Sequence, residues 1–175
     1  MKQRITIEGY NIQWESEFNK LLTFINDVME DRILSIEHVG STSIKGLVAK
    51  PILDIDIVIE DYEIFPEVVT KFEAIGYYHQ LEWSFKGREA FGRKDTFVPW
   101  NEGNTVWMEH HLYVCDKNSE ELRRHIAFQD YLREHTEVAN EYGNLKEELA
   151  RESKNRSSYT EGKTVFITNI LEKIN

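Results

Sequence analysis

The segment that most constrains this chain is Ile52-Leu-Asp-Ile-Asp-Ile-Val-Ile59, entered directly after Lys50-Pro51. A run so rich in β-branched residues predicts a strand. Side chains on a strand alternate between its two faces. Leu53, Ile55, Ile57 and Ile59 therefore belong against a core, while Asp54 and Asp56 share the other face with Ile52 and Val58. That second face is too apolar to be merely wetted, and aspartate is among the residues that strands avoid. Two ionised carboxylates about 7 Å apart, Cα to Cα, repel each other, and one pKa rises unless a cation neutralises the pair. A divalent metal resolves the conflict, and a metal pair suits phosphoryl or nucleotidyl transfer.

The rest of the chain reads as one domain over residues 1–175. No Pro/Gly/Ser-rich linker, repeat or low-complexity stretch divides it, and its 41% apolar and 30% charged residues fit an ordinary globular protein. A single cysteine, Cys115, excludes an internal disulfide and fits a reducing compartment. The basic start lacks the apolar core of a signal peptide, and no window reaches the length of a membrane span, so the expected location is cytoplasmic. A net charge of −10 disfavours duplex nucleic acid or an anionic membrane as the main partner. A local basic pocket for one phosphate ester remains compatible with it.

Periodicity places the elements. Arg4 to Ile7 reads as a short strand or extended lead-in. Trp14, Phe18, Leu21, Leu22, Ile25, Val28 and Met29 recur at helical spacing. A strand at 33–39 stops at Gly40-Ser-Thr-Ser, and a helix at 63–75 ends before Gly76. The aromatic-rich stretch 77–100 suggests two or three short strands with turns at Lys86-Gly87 and Gly92, and residues 105–115 predict another strand. Helices are expected at 119–134, 137–152 and 159–173. The class is α/β or α+β: a mixed, partly antiparallel sheet of five or six strands covered by helices, with a helical C-terminal third.

Within that frame, His38-Val-Gly-Ser-Thr-Ser is a strand running into a small, hydroxyl-rich turn. Gly40 permits close backbone approach, and the amides and hydroxyls at Ser41 and Thr42 suit phosphate oxygens. Capping of a short helix explains the same residues. Lys50 precedes the Asp strand and reaches towards a phosphate or towards solvent.

A strand ending in Gly40-Ser41, a short helical segment, and a strand bearing Asp54-Ile-Asp56 together resemble the polymerase-β-like nucleotidyltransferase superfamily. The longer block His38-Val-Gly-Ser-Thr-Ser-Ile-Lys-Gly-Leu-Val-Ala-Lys-Pro-Ile-Leu-Asp-Ile-Asp56 closely resembles the signature of the GrpB family. His111-Leu-Tyr-Val running into Leu122-Arg-Arg-His-Ile-Ala-Phe-Gln-Asp-Tyr-Leu-Arg133, and Tyr159-Thr-Glu-Gly-Lys163, are similar to that family too. The resemblance implies a nucleotidyltransferase fold. It also implies a Gly-Ser turn that holds nucleotide phosphates and paired acids that hold Mg²⁺ or Mn²⁺. The implied partners are a nucleoside triphosphate and an acceptor that the resemblance does not name, a small molecule or protein fitting the charge better than nucleic acid. A catalytically silent nucleotide- or phosphometabolite-binding module is the alternative.

Active members of that superfamily use a third carboxylate from a neighbouring strand. Glu109 is one candidate and His111 the other, as a ligand or as an acid–base group; a solvated edge position accounts for Glu109 equally. Lys163 sits where local helix preference disfavours a cation if Thr160 is the cap, which marks it for a phosphate contact. If the helix starts earlier, Lys163 is an ordinary side chain deeper within it. Arg93 and Lys94 are further candidates for anion contact. A zinc site from His110, His111 and Cys115 is disfavoured, because adjacent strand residues point to opposite faces. His79, His125 and His135 are expected to be structural or exposed.

Overall fold

The computed structural model describes residues 5–174. Arg4, where the expected lead-in begins, lies outside them; residues 5–7 are irregular, and Glu8 bridges Ala49. Five strands, β1 (Ser35–Val39), β2 (Leu53–Ile59), β3 (Tyr77–His79), β4 (Glu89–Arg93) and β5 (His110–Asp116), form one sheet in the order β1-β2-β5-β4-β3. Among the described residues only the central β2–β5 pair is parallel. Five α-helices accompany it: α1 (Gln13–Met29), α2 (Phe65–Ala74), α3 (Glu120–Glu134), α4 (Thr136–Glu152) and α5 (Arg156–Ile174). None of the described helices is long and apolar enough to cross a membrane.

The strand at the centre starts where its chemistry allows. Pro51 has no N–H, and the Ile52 amide turns back to the Lys50 carbonyl at 2.7 Å. Ladder pairing begins at Leu53, whose N–H donates to the Glu109 carbonyl at 3.0 Å. Leu53, Ile55, Ile57 and Ile59 then pack with Leu112 and Val114 of β5, Ile36 of β1 and Phe91 of β4. Trp14, Phe18, Leu21, Ile25 and Met29 of α1 and Val68 and Phe72 of α2 cover them, so α1 and α2 close this face. These four core-facing residues of β2 are fully buried. Each such side chain contributes about 1.5–3 kcal/mol, which pins the register and holds Asp54 and Asp56 on the opposite face.

The C-terminal helices approach that opposite face. Ser119 caps α3, its Oγ accepting from the Leu122 amide at 3.2 Å. Leu122 and Ile126 pack on Val58 and Cys115, laying α3 along the aspartate side of the sheet. Further out, α3, α4 and the segment after the Ser41 turn share a second core of Ile44, Leu47, Leu132, Ala139 and Tyr142.

Three expectations need adjusting. Residues 105–109 are not in the sheet: Trp107 donates its amide to the Thr96 carbonyl at 3.1 Å, a loop partner. Gly92 lies inside β4 rather than in a turn, and the lack of a side chain lets the Tyr78 ring lie over it; a Cβ there would collide with that ring. Helix α5 begins at Arg156, with Asn155 Oδ1 accepting from the Ser158 amide at 2.9 Å. Lys163 is therefore two turns into the helix, beyond the dipole-sensitive first turn.

Candidate active site

Strand register brings the two aspartates against two different partners. On β2, Asp54 lies beside Val39 of β1 and His111 of β5, while Asp56 lies beside Glu37 and Tyr113. Asp54 is partly exposed, and its Oδ1 is 3.0 Å from His111 Nδ1. Asp56 is only 1% exposed; its Oδ2 is 2.7 Å from His125 Nδ1 on α3, and its Oδ1 is buried with no hydrogen-bond partner among the described residues. The other ring nitrogen of His125 is 3.5 Å from Glu121. Burial opposes charge on His125, but the hydrogen bonds it donates to Asp56 and Glu121 outweigh that and raise its pKa to about 9. The imidazolium is thus the protein's own counter-ion for the buried carboxylate.

The turn after β1 packs directly on Asp54. Gly40 has φ 73°, and a Cβ on it would lie 2.5 Å from Asp54 Oδ2, so only glycine fits both the backbone angle and the space. Ser43 Oγ donates to the Gly40 carbonyl at 2.5 Å. Gln129 of α3 donates to the His38 carbonyl at 2.6 Å, and Arg133 to the Ser43 carbonyl at 2.8 Å. Thr42 is buried and its hydroxyl is 2.9 Å from His38 Nε2, which leaves it a structural partner of the turn. Burial lowers the His38 pKa to about 4, so its ring is neutral and stacks on Phe18 at 4.6 Å.

Cations gather on the same side. The Lys50 and Lys163 ammonium groups lie 4.3 and 4.7 Å from the centre of the Tyr159 ring. Burial first, and then the charge of Lys50, lowers the Lys163 pKa to about 8, against the opposing pull of Asp54. Burial and Arg156 lower that of Lys50. Cations that destabilise one another around a single carboxylate favour an added anion. On α5, Thr160, Lys163, Thr164, Ile167 and Leu171 form one stripe facing a cleft of about 430 Å³, with Gly40, Ser41, Asp54, Tyr113 and His125 on the opposing wall. That volume lies in the range of small-molecule sites. A second hollow of about 500 Å³, on the far side of the Ser41–Gly46 segment, does not include the aspartates.

Not every expected residue joins this cleft. Glu109 precedes β5 and pairs with Arg93 at 3.2 Å, its side chain 59% exposed. Arg93 also donates to the Val98 and Thr96 carbonyls at 3.1 and 2.9 Å, tying together the loop before β5. Lys94 lies over the Trp100 ring at 5.4 Å. His110 faces the α1–α2 core, its Nε2 2.6 Å from the Tyr77 hydroxyl. Glu121 and Arg88 line the cleft without having been singled out in the sequence. His125, expected to be structural or exposed, pairs with Asp56 and lines the cleft as well. Its signal was faint but present: a titratable residue in phase with Leu122, Ile126, Gln129 and Leu132 on the inward stripe of α3.

The donor set also bears on a divalent cation. Among the described residues no group of three or more His, Cys, Asp or Glu is arranged to hold a metal ion. The site supplies the two carboxylates of Asp54 and Asp56, one of them with a buried, unpartnered oxygen. Magnesium characteristically binds through one or two carboxylates plus substrate phosphates rather than in an all-protein cage. The residues present fit that habit.

Comparison with known proteins bears on the family and the fold. The family model described as "GrpB protein" matches residues 4–173. The UPF0157 protein YqkA of Bacillus subtilis is 31% identical over 170 residues, which cover 95% of this chain but 46% of YqkA. The crystal structure of conserved protein GrpB from Enterococcus faecalis superposes with a TM-score of 0.80 at 29% identity, covering 97% of this chain and 96% of that one. More distantly, Cid1 poly(U) polymerase resembles it in fold alone. The Cid1 complex with the UTP analog UMPNPP gives a TM-score of 0.56 at 12% identity, over 88% of this chain and 48% of Cid1. The MgGTP-bound form gives 0.52 at 13%, over 79% and 42%. With nearly its whole described length matched by the family model, the chain belongs to the GrpB family.

Proposed function

We propose that the cleft binds a magnesium–nucleoside triphosphate and transfers its nucleotidyl group to a hydroxyl-bearing acceptor. The observation that carries this reading is the packing of Gly40 on Asp54, which sets the Gly40–Ser41 turn against the first of two carboxylates on one strand face. Phosphates would lie on the Gly40–Ser41 amides, with Lys163 and Lys50 offsetting their charge. Asp54 and Asp56 would hold Mg²⁺ or Mn²⁺, which supplies charge neutralisation at the phosphates when bound. The Cid1 complexes with UMPNPP and MgGTP support the same ligand class for this fold.

The proton has a destination. His111 is oriented through Nδ1 by Asp54, and its Nε2 makes no hydrogen bond among the described residues. As the acceptor oxygen bonds to the α-phosphorus, its proton passes to His111 Nε2. The bond from the α-phosphorus to the bridging oxygen breaks, and that electron pair leaves with pyrophosphate. The test is pyrophosphate release from each NTP with Mg²⁺ and a panel of hydroxylated metabolites, using wild type, Asp54→Asn and His111→Gln. Turnover lost in both variants, with nucleotide binding retained by His111→Gln, supports the assignment. Unchanged turnover in Asp54→Asn overturns it.

A second reading is favoured by one feature: the β5 positions beside Asp54 and Asp56 are His111 and Tyr113, not a third carboxylate. A nucleotide-binding module without turnover fits that arrangement. It would show metal-dependent NTP binding and no pyrophosphate from any acceptor.

A further inference from the structure

We infer that the end of the cleft over β5 and β4 is an anion subsite built around Arg88, and that the acceptor therefore carries a phosphate or carboxylate as well as its hydroxyl. The inference rests on the transfer reading for its functional meaning, and on Arg88 for its chemistry.

The direction follows from the sheet order. In-line displacement places the attacking and leaving oxygens on opposite sides of the phosphorus. The leaving pyrophosphate belongs with the Gly40–Ser41 turn, which follows β1 on one side of β2; β5 and then β4 lie on the other side. The acceptor must approach over those two strands. There the cleft wall is formed by Tyr113, Arg88 and Arg124.

Arg88 is held in place but not satisfied. It closes a tight turn in which its amide and that of Phe85 bond each other's carbonyls at 2.9 and 3.0 Å. Ser119 Oγ, while capping α3, donates to the Gly87 carbonyl of the same turn at 2.6 Å. The guanidinium lies over the Phe85 ring at 4.6 Å and the Tyr113 ring at 4.3 Å. Its polar contacts are one long bond from Nη2 to the Trp83 carbonyl at 3.5 Å, and a buried Nε with no acceptor among the described residues. A guanidinium fixed by stacking, with a single long bond on its fork, is matched by a planar carboxylate or a phosphate. Arg124 is exposed and only loosely paired with Glu121 at 3.6 Å, so it adds a second cation at the rim. A neutral acceptor would leave the Arg88 guanidinium without an acceptor for its buried Nε, which disfavours it. The chain's overall charge of −10 makes this concentration of cations a local device rather than a general property of its surface.

The experiment titrates glycerol 3-phosphate, glycerate and neutral glycerol, each by calorimetry, into wild type, Arg88→Gln, Arg124→Gln and Lys163→Met, with NTP·Mg²⁺ titrated separately. The expected result is binding of at least one anionic probe and not glycerol. Affinity should fall tenfold or more in Arg88→Gln, fall less in Arg124→Gln, and stay within threefold in Lys163→Met. Glycerol 3-phosphate against glycerate tells a phosphate-bearing from a carboxylate-bearing acceptor. Should Arg88→Gln not fold, Arg124→Gln and Arg88→Lys, which keeps the charge but loses the fork, carry the comparison. Probe binding that depends on Lys163 and not on Arg88 or Arg124 overturns the inference. So does the absence of any anionic-probe binding when NTP binds, and that outcome leaves the transfer reading standing. Arg88-dependent probe binding without any NTP binding supports the subsite and overturns the transfer reading.

Discussion

Asp56 and His125 face each other at 2.7 Å between the middle of the sheet and α3, with the carboxylate almost fully buried and the imidazole held at a pKa of about 9. Two consequences follow from the pair. It docks α3 on the strand that carries both aspartates, and it supplies positive charge beside the proposed metal ligands before any metal arrives.

Removing one partner is expected to cost more than removing both. His125→Ala leaves a buried carboxylate uncompensated, which typically costs about 3–5 kcal/mol. Asp56→Asn in the same background should recover much of that loss, because the amide needs no counter-ion. Urea denaturation of the two single variants and the double variant measures the coupling. Strict additivity would show that the pair is not a thermodynamic unit.

Gly40 offers a sharper steric test. Its φ of 73° and the 2.5 Å approach of a built Cβ to Asp54 both penalise a side chain. Gly40→Ala is expected to lose about 1–3 kcal/mol and more than tenfold in nucleotide affinity. Gly46 is the control: its φ is 84°, yet nothing lies within 4 Å of a built Cβ. Gly46→Ala should show the backbone cost alone, about 1–2 kcal/mol, with nucleotide affinity unchanged. Equal nucleotide loss in both variants would separate the turn from the site.

Lys146 sets an expected pH dependence. It is 2% exposed, its ammonium donates to the Val48 carbonyl, and burial, with Lys163 adding to it, lowers its pKa to about 7 against the pull of Asp54. In the unfolded chain its pKa is about 10.4. Below pH 7 both states carry the charge, and the folded state bears the whole cost of burying it. Between about pH 7 and 10 the unfolded chain holds the extra proton, so this residue makes stability rise with pH. Lys146→Met is expected to stabilise by about 1–3 kcal/mol at pH 6 and to gain little at pH 10. Urea midpoints at the two values decide it, and equal effects at both would refute the assignment.

What the sequence made legible was local. The alternation of Leu53, Ile55, Ile57 and Ile59 with Asp54 and Asp56 needs only the strand period, and Gly40-Ser41 needs only the turn, so both can be read from the order of residues alone. The Glu109 question turned on register: β5 starts at His110 because its partner strand starts at Leu53, and nothing within residues 105–109 announces that pairing with β2 begins at His110 and pairing with β4 at Leu112. His125 and Arg88 were harder still. One reaches Asp56 from 69 residues away, and the other meets Tyr113 only because Ser119 pins its turn. Long-range approaches of this kind leave little trace in the periodicity of either segment.

The measurement that bears most directly on the proposed function is nucleotide binding in the presence and absence of Mg²⁺, read as a thermal shift for wild type, Asp54→Asn and Lys163→Met. Ligand at about 100 times its Kd stabilises by about 2.7 kcal/mol, well above the resolution of a melting curve. The expected result is a metal-dependent shift with at least one nucleoside triphosphate, lost in Asp54→Asn and sharply reduced in Lys163→Met. No shift with any nucleotide, or an equal shift in all three proteins, would contradict the assignment of this cleft.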